Sequence, residues 1–168
     1  DFSGLTGNRF GAGSGETPGE GGGETPGEDP VTPPAGGETV AKLTMSSLGY
    51  ANAASVDGKT IKVDDNISMV FKKGGAGTAP AYYDSGSAIR MYQNGATLDV
   101  KAVSGKTITS IKLIFANSQY YLKADSGTLS AEADTRTWTG SANAVKFTST
   151  GTDKNHRAYI SAIEVTYK

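Results

Sequence analysis

The sequence of 168 residues contains no cysteine and a single histidine, His156. The chain can therefore form no disulfide, no cysteine-based zinc site, no cysteine nucleophile and no metal site that requires two histidines. A Ser-His-Asp triad would have to use His156, which lies in a polar, turn-like stretch typical of a solvated loop. These absences exclude many classes of enzyme, and we expect no catalytic residues, no metal site and no cofactor.

Long apolar runs are also missing, since no stretch approaches the roughly 18 residues that a membrane span requires. Glycine and proline are unevenly distributed: residues 1–39 hold 12 of the 23 glycines and five of the six prolines, and seven acidic residues against one basic residue. Residues 40–168 carry ten acidic and fifteen basic residues. The chain thus divides into an acidic leader and a basic body that is long enough for one ordinary core.

The leader has two predicted parts. Residues 13–39 contain the repeated segment GETPGE and almost no large apolar side chains, so we expect a disordered Gly/Pro/Glu-rich linker. Residues 1–12 are interpreted as the remnant of a preceding domain, or as the mature amino terminus behind a removed signal peptide. Residues 40–168 are expected to form the folded domain.

The body shows the alternation of apolar and polar residues that is typical of β-strands, as at Ile67, Met69 and Phe71. Turn residues interrupt the alternation about every ten positions, and no capped amphipathic run of helical length is present. The pattern predicts an all-β fold: an antiparallel β-sandwich, jelly-roll-like, of eight to ten short strands.

Two local features give sharper predictions. Asn94–Gly95 is the sequence's clearest signal for a β-hairpin turn, because both residues tolerate positive φ. Ile108 and Ile111 are three positions apart, which breaks the alternation. We therefore expect a bulge or bend between these two isoleucines.

Four segments together carry a resemblance to a known family. They are GTAPAYYDSGSAIRMYQNGATL (77–98), SGKTITSIKLIF (104–115), TRTWTGSANAVKFT (135–148) and RAYISAIEVTY (157–167). This combination resembles an uncharacterised carboxy-terminal β-sandwich module of secreted and surface lipoproteins of gut Bacteroidetes. The resemblance implies a jelly-roll domain that is exported to the outer-membrane surface or the extracellular space, with a lipid anchor upstream of Asp1. Carbohydrate-binding modules commonly accompany such proteins, and some relatives follow an oligomer-binding-fold or nuclease-like domain.

The chain is rich in tyrosine, and several of the rings lie near charged or amide side chains. Sugar rings pack their C–H faces on aromatic planes, while arginine, aspartate and asparagine can hydrogen-bond the hydroxyls. The candidate glycan-binding residues are Tyr82, Tyr83, Asp84, Arg90, Tyr92 and Asn94. The alternative is a structural role for these residues. Tyrosines also pack on half-buried strands, and an arginine can fix a loop by hydrogen bonds to the carbonyl groups of that loop. Trp138 is expected in the core.

The resulting functional hypothesis is a noncatalytic extracellular module that binds a polysaccharide or a glycoprotein glycan, or that serves in adhesion. One alternative is a structural spacer that docks on a preceding domain of the same chain, which would require an exposed apolar patch. Another is an accessory domain of a nucleic-acid-acting protein, but nucleic acid is an unlikely partner because the basic residues are spread along the sequence. Calcium binding at residues 64–66 is a further alternative to a plain turn.

Overall fold

A computed structural model describes residues 37–168. The expected amino-terminal segment 1–12, and all but the last three residues of the expected linker 13–39, lie outside the described residues. The strands are β1 (Thr39–Thr44), β2 (Thr60–Lys62), β3 (Ile67–Lys72), β4 (Ala81–Tyr83), β5 (Ala88–Met91), β6 (Thr97–Ala102), β7 (Ile108–Tyr120), β8 (Leu122–Ala124), β9 (Thr128–Leu129), β10 (Thr135–Ala142), β11 (Ala144–Ser149) and β12 (Ala158–Tyr167). One short 3-10 helix, Met45–Leu48, follows β1. Within the described residues, no helix has the length and apolar character needed to cross a bilayer.

The strands form two antiparallel sheets that pack face to face, which confirms the predicted all-β sandwich. One sheet has seven strands in the order β4-β5-β12-β7-β10-β9, with β1 also paired to β12. The other sheet has five strands in the order β2-β3-β6-β11-β8. Between β5 and β9 the chain changes sheet at every connection, which is the winding typical of a jelly roll.

The core lies between the two sheets and is built from alternate residues of the strands. Ile67, Met69 and Phe71 of β3 are all buried, as their alternation predicts. Trp138 is completely buried, which confirms its predicted place in the core. Its indole Nε1 donates a hydrogen bond to the carbonyl of Ser126, so the polar edge of the ring is satisfied as well.

The Asn94–Gly95 turn forms as expected but does not join a hairpin. Both residues have positive φ, 65° and 100°. However, β5 belongs to the seven-stranded sheet and β6 to the five-stranded sheet, so the turn carries the chain from one sheet to the other. The hairpin prediction is therefore wrong, because turn residues fix the local backbone but not the partner of each flanking strand.

The predicted irregularity between Ile108 and Ile111 is confirmed. In the pairing of β7 with β12, Ser110 is opposite Thr166 and Ile108 is opposite Tyr167, so Thr109 is an extra residue on β7. Such a bulge shifts the alternation by one position. As a result, both isoleucines are fully buried although they are three positions apart.

Candidate ligand-binding site

The amino-terminal half of β12 positions the candidate site. Strand β5 pairs with β12 so that Arg90 is opposite Tyr159, and Ile89 is opposite Ile160. Side chains alternate between the two faces of a sheet. The isoleucines therefore enter the core, where both are fully buried, and Arg90 and Tyr159 share the outer face.

Arg90 is held between aromatic rings on this outer face. Its guanidinium carbon lies 3.9 Å from the centre of the Tyr83 ring and 4.5 Å from the centre of the Tyr159 ring. Both separations are within the range of cation–π attraction. The stack fixes the position of the guanidinium plane, because two rings carried by paired strands restrict its rotation.

Tyr83 and Tyr92 meet at their hydroxyl groups, whose oxygens are 2.7 Å apart. The hydrogen bond with Tyr92, followed by burial, raises the pKa of Tyr83 above its ordinary value of 10.0. Both side chains are half-buried. Tyr83 thus stays protonated at neutral pH, and each of the two rings keeps part of its surface accessible to solvent.

A second arginine, Arg157, covers the Tyr92 ring, with its guanidinium carbon 4.7 Å from the ring centre. Its Nε donates to the Gln93 side-chain oxygen at 2.7 Å, and its backbone N–H donates to the Gln119 side-chain oxygen at 2.7 Å. We use the name arginine–tyrosine cluster for Tyr83, Arg90, Tyr92, Arg157 and Tyr159. Two stretches of chain that are distant in sequence, 83–92 and 157–159, build this surface.

The cluster carries positive charge with no nearby acid. Among residues 37–168, no carboxylate lies within 4.0 Å of Arg90 or Arg157. The Nε of Arg90 is enclosed and has no hydrogen-bond partner among residues 37–168. Two cations therefore lie close to one ring, that of Tyr92, and neither forms a salt bridge with a described residue.

The residues predicted for the site divide into three groups. Tyr83, Arg90 and Tyr92 come together as expected. Tyr82 does not join them: it is only 6% exposed and packs in the core beside Tyr50, so its ring is closed to a ligand. Asp84 and Asn94 are both exposed in loops.

Asp84 and Asn94 are anchored by their backbones and not by their side chains. The backbone N–H of Asp84 donates to the Asn52 side-chain oxygen at 3.1 Å, and that of Asn94 donates to the Gly151 carbonyl at 2.9 Å. Their side chains make no hydrogen bond to the arginine–tyrosine cluster among the described residues. They border the surface and are available to a ligand.

Sequence reasoning missed Arg157 and Tyr159, which contribute as much to the cluster as the predicted residues. The alternation along β12 predicts which face of the sheet carries Tyr159. It does not predict that β12 pairs with β5, because these two segments are nearly seventy positions apart in the sequence. Arg157 is the last residue before β12 and looked like part of a polar loop. Only the strand order brings the two arginines together.

A second surface, on the outer face of the five-stranded sheet, forms a groove of about 460 Å³. Its charged lining includes Lys72, Lys101, Lys146 and Asp99. Asp99 lies between two of the lysines, with oxygen–nitrogen distances of 3.1 Å to Lys72 and 3.9 Å to Lys146. None of the described residues that line this groove is aromatic, so they offer salt-bridged charges and no stacking surface.

His156 has a local structural partner. Its Nδ1 lies 2.7 Å from a carboxylate oxygen of Asp153, and both side chains are about half exposed. The backbone N–H of Asn155 and the contact with His156 lower the pKa of Asp153. The Tyr121 ring meets the imidazole edge-on at 4.5 Å. Contacts of this kind between side chains of one loop are typical of residues that stabilise the loop itself.

The turn at residues 64–66 uses its carboxylate internally. One oxygen of Asp64 accepts hydrogen bonds from the backbone N–H groups of Asn66 and Ile67, and the other accepts from the Tyr167 hydroxyl. Across residues 37–168, no three histidine, aspartate or glutamate side chains converge as metal ligands. Asp64 thus uses both carboxylate oxygens in hydrogen bonds within the domain.

Comparison with known proteins adds no relative: no protein-family model matches the chain, and no curated protein is similar to it in sequence.

Proposed function

We propose that this domain is a noncatalytic glycan-binding or adhesion module, and that the arginine–tyrosine cluster is its ligand-binding surface. The observation that carries the proposal is the pair of half-buried rings, Tyr83 and Tyr92, joined at their hydroxyls and flanked by Arg90 and Arg157. A surface of this kind combines apolar ring area with fixed polar groups. Both are needed to recognise a sugar.

In this proposal, the parts of the Tyr83 and Tyr92 rings that Arg90 and Arg157 leave open pack against the C–H face of a sugar unit. Tyrosine suits the task because it presents a large, stiff ring with a polar tip. Both residues are held by neighbouring elements, so little conformational entropy is lost on binding. Arg90, Asp84 and Asn94 would hydrogen-bond the hydroxyl groups around the stacked unit.

The spacer alternative receives less support from the structure. A docking face requires a contiguous apolar patch on the free domain. Among the described residues, the exposed large hydrophobic side chains are Val40, at 37%, and Val103, at 45%. Two partly exposed valines supply far less than the few hundred Å² of apolar surface that a docking patch presents.

The nucleic-acid alternative is also weaker. A single-stranded nucleic acid requires a basic groove with aromatic rings on which bases can stack. The groove of the five-stranded sheet has lysines, but Asp99 is inserted among them and none of the described lining residues is aromatic. The arginine–tyrosine cluster has rings, but it is a compact patch and not an extended track.

The proposed location is extracellular or at the outer-membrane surface. It depends on the resemblance to modules of secreted and surface lipoproteins of gut Bacteroidetes. A glycan ligand agrees with that location, because polysaccharides and glycoproteins are abundant outside the cell. The upstream lipid anchor and the preceding domain remain part of this proposal.

Affinity electrophoresis through gels that contain single polysaccharides tests the proposed function. We expect retardation of the wild-type chain by at least one polysaccharide. Tyr83→Ala should lose about tenfold or more in affinity, as truncation of a central interface residue typically does. Tyr83→Phe keeps the ring and should lose much less. Equal binding by wild type and Tyr83→Ala would contradict the assignment of the site.

A further inference from the structure

We infer that the ligand of the arginine–tyrosine cluster carries an oxyanion, a carboxylate or a sulfate ester on a sugar, which Arg90 and Arg157 bind together. The inference rests on the proposed function and narrows it to acidic glycans. It depends on three features of the cluster: unused donors, uncompensated charge and the shape of the guanidinium group.

The first feature is the hydrogen-bonding state of Arg90. Its Nε is enclosed by the rings and has no partner, whereas its Nη atoms are neither enclosed in this way nor hydrogen-bonded to a described residue. The Nη edge is therefore the part that a ligand can reach. Nε stays unpaired whatever binds, but an anion at the Nη edge would form charge-assisted hydrogen bonds to the same guanidinium and so compensate its delocalised charge.

The second feature is the charge itself. The guanidinium carbons of Arg90 and Arg157 both lie within 6.0 Å of the centre of the Tyr92 ring. No described carboxylate lies within 4.0 Å of either. Of the fifteen lysine and arginine side chains in residues 40–168, four have such a partner, as Lys42 has Glu164 at 3.2 Å. Arg90 and Arg157 differ from the other unpaired cations because they share one ring. An anionic ligand would supply the missing charge here.

The third feature is geometric. A guanidinium presents its N–H donors in a planar fork that matches two oxygens of a carboxylate or sulfate, and such charged pairs are stronger than hydrogen bonds to neutral hydroxyls. The joined hydroxyls of Tyr83 and Tyr92 add to the fork. Only one of the two O–H groups is used in their mutual bond, so the other remains free to donate to the same anion.

The test is affinity electrophoresis at low ionic strength in three gels, which contain polygalacturonate, dextran sulfate or unmodified dextran. These polymers supply a carboxylate, a sulfate ester and a neutral sugar. We expect retardation in one or both acidic gels, none in dextran, and weaker retardation as salt is added.

Two arginine variants and two lysine controls locate the binding. Arg157→Gln should reduce the affinity by about tenfold or more, the loss expected for a charge-assisted hydrogen bond. Arg90→Lys keeps the charge but not the fork, and should also weaken binding. Lys168→Gln makes the same charge change as Arg157→Gln at the opposite end of β12 and should have little effect. Lys101→Gln removes a lysine from the groove of the five-stranded sheet. A thermal melt confirms that each variant is folded.

The outcomes separate this inference from the proposed function. If the domain binds dextran, and Tyr83→Ala weakens that binding, the inference is overturned but the proposed function is supported. If the acidic polymers bind, but Lys101→Gln weakens that binding and Arg157→Gln does not, the inference is overturned. The binding site would then be the groove of the five-stranded sheet. Binding to single-stranded DNA as strong as to the acidic polymers would overturn the assignment to glycans. No binding to any of the three polymers would overturn the inference, and the proposed function would then be decided by the wider set of polysaccharides.

Discussion

Arg136 shows how this domain normally treats a buried arginine. The side chain is only 7% exposed, and burial lowers its pKa. Its guanidinium donates to the backbone carbonyls of Ser130, Tyr120 and Leu122 at 2.8–3.1 Å. Every one of its three nitrogens thus has an acceptor. Arg90 lacks such partners, and this difference is why we assign a structural role to Arg136 and a binding role to Arg90.

The hydrogen bonds from Arg136 to three backbone carbonyls give a stability prediction. Arg136→Lys keeps the charge but cannot reach three carbonyls at once, so at least one of them is left unsatisfied. We expect the free energy of unfolding in urea to fall by about 1–3 kcal/mol. Lys123→Arg, an exposed change on the adjacent β8, should alter it by no more than about 0.5 kcal/mol. Equal values for the two variants would contradict the structural role.

Trp138 provides a second residue-scale prediction because two glycines lie against its ring. A Cβ added at Gly140 would lie 2.5 Å from the Trp138 ring, so the buried indole would have to shift. We expect Gly140→Ala to cost about 1–3 kcal/mol of stability. It should also change the fluorescence of the domain, since Trp138 is the sole tryptophan of the chain.

The matched control for Gly140→Ala is Gly77→Ala. A Cβ at Gly77 meets no atom within 4 Å, and its φ is not in the positive range. This variant should leave both the stability and the fluorescence close to those of the wild type. If Gly140→Ala also left the stability and the fluorescence unchanged, the proposed close contact between Gly140 and the Trp138 ring would be contradicted.

At the scale of the elements, β12 joins the structural and functional parts of the domain. Its final six residues pair with β1, its first three pair with β5, and β7 runs along its other edge. At its last residue, the Tyr167 hydroxyl donates to Asp64 at 2.7 Å. This bond connects β12 to the turn between β2 and β3, and therefore connects the two sheets.

The bond between Tyr167 and Asp64 predicts a pH dependence. The hydrogen bond to Asp64, together with burial, raises the pKa of Tyr167 above its ordinary value of 10.0. Below pH 10 both the folded and unfolded chains keep the tyrosine proton, so this stabilisation is fully present. Above it, the unfolded chain loses the proton first, and stability is lost as the pH rises through the raised pKa.

Urea unfolding at pH 8 and at pH 11 measures this effect. The wild type should lose more stability between the two values than Tyr167→Phe, which has no proton to release. The remaining loss in the variant would come from Tyr83 and Tyr121, whose pKa values are also raised. An identical loss in the two proteins would show that the hydrogen bond does not shift the titration.

At the scale of the whole molecule, local patterns predicted the strands and the sandwich, because alternation and turn residues are properties of short segments. The same patterns could not predict the pairing of distant strands. Asn94–Gly95 therefore forms the expected turn, but it connects strands of different sheets and not a hairpin. For the same reason, the sequence did not reveal that Arg157 and Tyr159 belong to the site. Tyr82 and Tyr83 differ by one position, and the register of β4 alone decides that the first is core and the second is surface.

The most direct test of the account is to map the bound ligand by amide chemical-shift changes, with an oligogalacturonate or a short dextran sulfate as the probe. The account predicts that the shifts concentrate at residues 83–94 and 157–159, around the arginine–tyrosine cluster, and that Arg157→Gln needs about tenfold or more ligand to produce them. Shifts that concentrate instead at Lys72, Lys101 and Lys146 would contradict it, because the ligand would then occupy the groove of the five-stranded sheet.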